Sequence, residues 1–439
     1  MKNLFLYLLV FLCLSCQGTK IEQFLRSGSP YDNYLQDLKA SSLKGNSMVR
    51  DWEAVGVRAL ADSNRVELPY RELTQFDPAV PEAASFLFSA SEGQEITVDL
   101  KLLSDTTATW FMDLFRGNGS DDLEELKPEG EENTIRYPVR SEASYLLRLQ
   151  PELLKGGLVE ISISYAPTLS FPLLEKSHLN IASFFGDPRE GGRRKHEGVD
   201  VFANRGTPVL AVSKGRVSQV GNNRLGGKTI RISSGRYSFY YAHLDSQLVA
   251  AGTKVKPGDT LGTVGNTGNA RTTAPHLHFG IYARGWKSLD PIYFFQDAPK
   301  LPNLPKADSV LFNNWARVKG ELVNLRQGPS TRSLILDKLE SQEVFRIEGK
   351  TAGWLRIRLP DQRQGFLAEN LAEDIERPLD KRTLQDSDWL KVNWWSPEFQ
   401  HPSFSGKVEV LGSFGQFDLV TAAKGSQLWV KNQTAQTDL

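Results

Sequence analysis

The sequence predicts a mainly β, multidomain protein whose helices are confined to the N-terminal region. At 439 residues the chain exceeds what a single core organises and has room for roughly three domains. From about Ala84 onward, apolar residues recur with a period of two, as in "EITVDL" and "VEISISY". Glycine turns such as "GNNRLGGK", "KPGDT" and "GNTGN" punctuate the strand-like runs that follow.

Taken in order, residues 1–15 carry one lysine and an apolar run from Leu4 to Leu14, too short to span a bilayer comfortably, and read as a signal peptide. Residues 16–80 read as helical. Ser29 stands at a cap position, Pro30 in the first turn, and Tyr31, Tyr34, Leu35 and Leu38 at helical spacing; a second helix is expected around "MVRDWEAVGVRALAD". Residues 81–168 read as a β-sandwich. Ile96, Val98 and Leu100 alternate in one strand and Val159, Ile161, Ile163 and Tyr165 in another. The acidic stretch "GNGSDDLEELKPEGEEN" between them lacks the spaced ligands of a calcium loop and reads as a solvated loop.

Residues 169–300 form a second strand-rich block. After the proline-spaced linker "DAPKLPNLPKAD", short strands return over 309–375, and residues 376–439 close the chain with the aromatic stretches "WLKVNWW" and "QLWVK". These tryptophans read either as core residues of a small strand element or as a glycan-binding stripe. Lysine plus arginine equals aspartate plus glutamate at 52 each, so no global field recruits nucleic acid.

The chemistry concentrates in the 169–300 block, which holds five of the chain's six histidines, four of them within the three motifs below. In "APHLHFG", a strand would place His276 and His278 on one face and Leu277 and Phe279 on the other. A same-face imidazole pair can bind a metal, move a proton, or simply line a half-exposed strand. In "RRKHEGVDVFA", His196 and Asp200 also share a face of an extended segment. Together with one histidine of "HLH" they make a three-ligand zinc site with an open position, the arrangement of a catalytic rather than structural metal. "YYAHLD" adds His243. The "RRK" triplet ahead of His196 reads either as a receptor for substrate carboxylates or as a solvated loop.

"HEGVD", "YAHL" and "PHLHFG", in this order, resemble the lysostaphin-type zinc metallopeptidases that cleave peptide bonds in peptidoglycan; the similarity extends over "SFFGDPREGG", "GTPVLAVSKGRVSQVG" and "AGTKVKPGDTLGTVGNTGNA", about residues 180–295. The resemblance implies the antiparallel sheet of the duplicated hybrid motif. It also implies His196, Asp200 and His278 as Zn2+ ligands, with His243 and His276 as catalytic residues acting on the attacking water or the developing oxyanion. "LVNLRQGPS", "GWLRIRL" and "GFLAENL" resemble a bacterial SH3-like β-barrel, which would bind cell-wall peptides or else serve as a rigid spacer or an intramolecular cover of the active site. The ending "LSC" resembles a bacterial lipoprotein processing site, which makes Cys16 the lipidated residue and membrane anchor. With Gln17 after it, the expectation is an envelope protein on the outer membrane, facing the periplasm. The expected activity is a zinc endopeptidase acting on peptidoglycan stem peptides, with a divisome or wall-hydrolase partner. The alternative is a noncatalytic wall-bound regulator that activates other hydrolases.

Overall fold

The computed structural model describes residues 28–432 apart from 62–63, 105–106, 118–121, 306–311, 313, 395, 401–405 and 423–424. The expected signal peptide, Cys16 and His401 lie outside the described residues. Among the described residues no helix is long and apolar enough to cross a membrane.

The first helix spans Pro30–Ala40 and begins as its sequence dictates. The Ser29 hydroxyl accepts from the Asp32 amide while the Asp32 carboxylate accepts from the Ser29 amide, a reciprocal cap that satisfies two otherwise orphan donors. The second helix, Ser47–Ala59, buries Val49 and Trp52. Trp52 stacks on Tyr31 at 4.8 Å between ring centroids, and its indole N–H donates to the Pro151 carbonyl at 2.9 Å. Both helices therefore cover the outer face of a four-stranded sheet whose order is Ala84–Ala90, Ala143–Pro151, Trp110–Arg116, Glu124–Glu125.

The segment read as helical does not stay so. Its last part forms the strand Tyr70–Phe76, which pairs on one side with Gly157–Pro167 of the sandwich and on the other with Val344–Thr351 of the SH3-like region. One sheet of 11 strands thus runs from the sandwich into the barrel. The seam buries Glu72 against Arg356 at 3.0 Å, and Arg356 also reaches Glu348 at 2.8 Å. A Cβ on Gly349 would stand 2.3 Å from a Glu72 carboxylate oxygen, so the approach requires glycine there. The alternation written in the sequence is realised: Ile96, Val98, Leu100, Val159, Ile161 and Ile163 all enter the sandwich core.

The C-terminal aromatic segment resolves into a five-stranded sheet. Its Trp429 is buried in the same core as the SH3-like strands, and Trp394 packs edge-on against Phe414, Phe417 and Trp429. Trp394 and Trp429 thus take the core role, whereas Trp389 is exposed.

The block that holds the histidines is a 10-stranded antiparallel sheet. Its central order is Gly227–Ser234, Tyr237–Gln247, His276–Tyr282, Val199–Phe202. One face supplies Val199, Val201, Ile230, Ile232, Phe239, Tyr241, Leu277, Phe279 and Ile281 to the core. The opposite face carries the chemistry. The sandwich meets this sheet through Glu92 with Arg236 and Tyr237, and through Gly93 packed on Phe294. Tyr237 is about 20 Å along its strand from His243, at roughly 3.3 Å per residue.

Candidate active site

The strand register explains why the motifs converge. Val199–Phe202 pairs with His276–Tyr282 so that Asp200 lies directly opposite His278 and Phe202 opposite His276. The next strand places Ala242 on the other side of His278. Residues directly across a sheet share a face. Asp200 and His278 are therefore neighbours by register, and His196 arrives from the turn that precedes the strand.

The atoms meet closely. His196 Nε2 lies 2.9 Å from His278 Nδ1 and 3.1 Å from Asp200 Oδ1, and His278 Nδ1 lies 3.0 Å from Asp200 Oδ1. The other nitrogen of His196, Nδ1, donates to the Phe184 carbonyl at 2.9 Å, because a carbonyl can only accept, and this leaves Nε2 with its lone pair turned inward. Two acceptors and one shared proton occupy the triangle when both imidazoles are neutral. A divalent cation satisfies all three donors at once. Tetrahedral zinc, with bonds of about 2.0–2.2 Å, sets its ligand atoms roughly 3.3–3.5 Å apart, within a few tenths of an ångström of the observed spacing. Among the described residues, His196, Asp200 and His278 form a group that can hold a metal ion.

The remaining oxygen of Asp200 is engaged too. Arg189 Nη2 donates to Asp200 Oδ2 at 2.7 Å and to Ser183 Oγ at 2.7 Å, fixing the carboxylate with Oδ1 toward the histidines. Burial opposes ionisation of Asp200, but the adjoining His196 and His278 imidazoles, when protonated, outweigh it and hold the carboxyl well below the usual range. Burial likewise pushes the His278 imidazole down.

His276 and His243 stand beside this group without joining the triangle. Their rings are 4.9 Å apart, and the His243 ring is 6.0 Å from that of His278. Each donates Nδ1–H to a backbone carbonyl at 2.9 Å, His276 to Ala274 and His243 to Thr267, which leaves both Nε2 atoms as proton acceptors. Burial, then the neighbouring His276 and His278, push His243 down to about 4, so it is neutral at neutral pH.

His243 reaches this face by breaking the alternation of its strand. Tyr241 and Leu244 both point into the core, with Ala242 and His243 between them. Across the pair, Ile230 faces Tyr241 and Lys228 faces Leu244, so two residues oppose Thr229 alone, the count of a β-bulge. His243 sits at φ +63°, a left-handed conformation uncommon outside glycine, and its amide donates to the Gly226 carbonyl at 2.7 Å. Strain of this kind, held by surrounding contacts, is a mark of functional positions.

Residues 194–291 match peptidase family M23, and residues 321–372 match the bacterial SH3 domain. The chain carries an M23 peptidase domain. It is 39% identical over 122 residues to the L-Ala--D-Glu endopeptidase of Bacillus subtilis, covering 26% of this chain and 37% of that protein. It is 36% identical over 124 residues to the peptidoglycan DD-endopeptidase ShyC of Vibrio cholerae, covering 28% of this chain and 26% of the relative. Among solved structures, the catalytic domain of lysostaphin from Staphylococcus simulans is similar at 34% identity with a TM-score of 0.25, over 27% of this chain and 93% of that one. The chain thus spans between a quarter and two-fifths of the length of these curated relatives.

Within the M23 domain all five residues read from the motifs gather at one place. The "RRK" triplet does not: Arg193 and Arg194 are exposed, with Arg193 bonding the Glu190 carbonyl and Arg194 paired to the Glu190 carboxylate. The arginine that contacts the His196–Asp200–His278 group is Arg189. Sequence reasoning missed Arg189, Ser183 and Thr267, whose roles come from loop folding; the only trace was that "SFFGDPREGG" belongs to the stretch of resemblance.

Proposed function

We propose that this protein is a zinc-dependent endopeptidase that hydrolyses peptide cross-links of bacterial peptidoglycan. The observation that carries this reading is the pairing of a convergent His196–Asp200–His278 donor group with two imidazoles whose Nε2 atoms are free to accept a proton. Two imidazoles and a carboxylate suit zinc, and three protein ligands leave a position for water or substrate. When bound, zinc supplies Lewis-acid polarisation of a carbonyl and lowers the pKa of water. His196, Asp200 and His278 would hold it, and Arg189 would keep Asp200 Oδ1 turned toward it.

His243 and His276 would handle the protons. An imidazole with Nδ1–H committed to a carbonyl takes a proton at Nε2, and once protonated it donates there, to a leaving amine or to a charged carbonyl oxygen. The buried environment that pushes His243 down keeps it in the accepting form at neutral pH. All five side chains are present, which weighs against the noncatalytic regulator. Among the described residues, the contacts with the N-terminal sandwich at Tyr237 and Phe294 lie at the other end of the strand from His243, away from the site.

The envelope is the expected location, through lipidation of Cys16 at the outer membrane with the enzyme facing the periplasm, and the SH3 domain is proposed to engage wall peptides. Digestion of purified sacculi followed by mass analysis tests the activity. Release of muropeptides with new amino and carboxyl termini within the stem or cross-link peptides is expected. Intact sacculi after prolonged incubation with zinc-loaded protein would reject it.

A further inference from the structure

The metal-bearing face of the sheet continues past the site, and what it carries there bears on which peptide it takes. His278, Gly280 and Tyr282 alternate onto this face of one strand. Directly across from Gly280 is Tyr240, and directly across from Tyr240 on the next strand is Arg231, so the three form one row beside His278. Tyr240 links the row to the site: its ring lies edge-to-face with His278 at 6.0 Å, and the Arg231 guanidinium sits over it at 4.7 Å.

Arg231 is held on three sides by aromatic rings. Besides Tyr240, its guanidinium lies 5.1 Å from the Tyr282 ring and 4.9 Å from that of Trp286. Trp286 is 68% exposed and sits at φ +63°, an outlier conformation for so bulky a residue. This turn sets the exposed indole beside the Arg231 cation. Gly280 keeps the floor of the row low, since a Cβ there would crowd the Glu197 carbonyl oxygen and the Tyr282 ring at 3.1 Å each.

The guanidinium is oriented without a direct ion pair, with the Glu197 carboxylate of the same cluster accepting from the Tyr282 hydroxyl at 3.4 Å. The guanidinium's own hydrogen bond runs from Nη1 to Ser238 Oγ at 3.3 Å, while among the described ion pairs no carboxylate meets it. The contrast is Arg189 on the same face, whose guanidinium is spent on Asp200. A half-buried guanidinium stacked among rings is pre-organised, weakly hydrated, and presents a planar fork that fits a carboxylate.

We infer that Arg231 is a specificity-determining residue that binds a carboxylate of the substrate peptide, so that the M23 domain of this chain selects acidic stem peptides over neutral glycine bridges. The inference rests on the endopeptidase reading and adds the substrate class. The carboxylate belongs either to an amino-acid residue along the stem or to the end of the peptide strand. Both present the same chemistry to Arg231.

The test uses the full chain and a synthetic cross-linked stem-peptide dimer in four forms: unmodified, amidated at its internal carboxyls, amidated at its terminal carboxyls, and amidated at both; pentaglycine is the neutral comparison. Each is assayed with wild type, Arg231→Gln and Arg231→Lys. For wild type, kcat/KM for the unmodified dimer is expected to exceed that for the doubly amidated form by about 10- to 100-fold, the scale of a charge-assisted hydrogen bond, with the difference in KM. Arg231→Gln should bring this ratio near one, and Arg231→Lys, which keeps the charge but loses the stacked planar fork, should keep only part of it. Because the ratio compares two substrates on the same enzyme, it is unaffected by how much of a variant folds. The arm in which amidation abolishes the preference identifies the carboxylate. A wild-type ratio near one, a ratio unchanged in Arg231→Gln, or pentaglycine cut as fast as the acidic dimer would each overturn the inference while leaving the endopeptidase standing. Failure of the wild type to cut any of these substrates or sacculi would overturn the endopeptidase reading itself.

Discussion

Two histidines two positions apart should fail differently when removed. His278 Nδ1 lies 2.9 and 3.0 Å from the other two donor atoms, whereas His276 gives its Nδ1–H to the Ala274 carbonyl and keeps Nε2 outside the triangle. Four-ligand structural zinc sites bind with about 10–16 kcal/mol, or roughly 2.5–4 kcal/mol per ligand. Deleting one of three ligands should then cost about 3 kcal/mol, a 100- to 1,000-fold loss of zinc affinity. His278→Ala is expected to show that loss together with loss of turnover. His276→Ala should hold zinc within about threefold of wild type while kcat falls by roughly 10²–10⁴, the range for a positioned acid or base. The assay is competition against a chromophoric chelator beside turnover on sacculi, with near-ultraviolet circular dichroism as the check on folding. Equal loss of zinc in both variants would refute the division of labour between them.

Three more outcomes follow from individual contacts. Arg189→Ala frees Asp200 Oδ2, so zinc affinity should fall by about 10- to 100-fold while the zinc-saturated enzyme keeps most of its turnover; unchanged affinity would remove Arg189 from the site. His243→Asn should fold as well as wild type, because asparagine tolerates the left-handed backbone at φ +63°, yet lose turnover, whereas His243→Val should also lose about 1–3 kcal/mol of stability; equal melting temperatures for the two variants would contradict the strain. Burial, then Glu348, raise Glu82 to about 7, so the folded state holds a proton that the unfolded chain releases near its ordinary value. The stabilisation is full below about pH 4.5 and is lost as pH rises through 7, at most about 3 kcal/mol before discounting for partial exposure. Glu82→Gln should flatten urea midpoints between pH 5 and 8, and an unchanged slope would reject the assignment.

Periodicity made part of the architecture legible. Alternation placed Ile96 and Val159 in the sandwich core, and the Ser29–Pro30 start of the first helix was read from its cap. It also put Leu277 and Phe279 behind the strand that presents His276 and His278. Two features escaped for physical reasons. The strand Tyr70–Phe76 joins sandwich to barrel through a partner far along the chain, and long-range pairing of this kind leaves no local signature. His243 violates the alternation that any strand reading assumes, because the bulge turns it to the face opposite the one its position predicts. Its place beside His276 was available only from motif resemblance. Arg189 and Arg231 illustrate the rest: what decides a guanidinium's role is which carboxylate or ring it meets, and that is set by loops and register rather than by neighbouring residues in the sequence.

His196, Asp200 and His278 together form the proposed catalytic zinc site. Protein stripped of metal and titrated with Zn2+ should recover peptidoglycan hydrolysis in proportion to zinc bound, reaching a plateau at one equivalent, with His278→Ala flat throughout. Hydrolysis by the stripped protein at the full rate, or activity that does not track zinc occupancy, would contradict it.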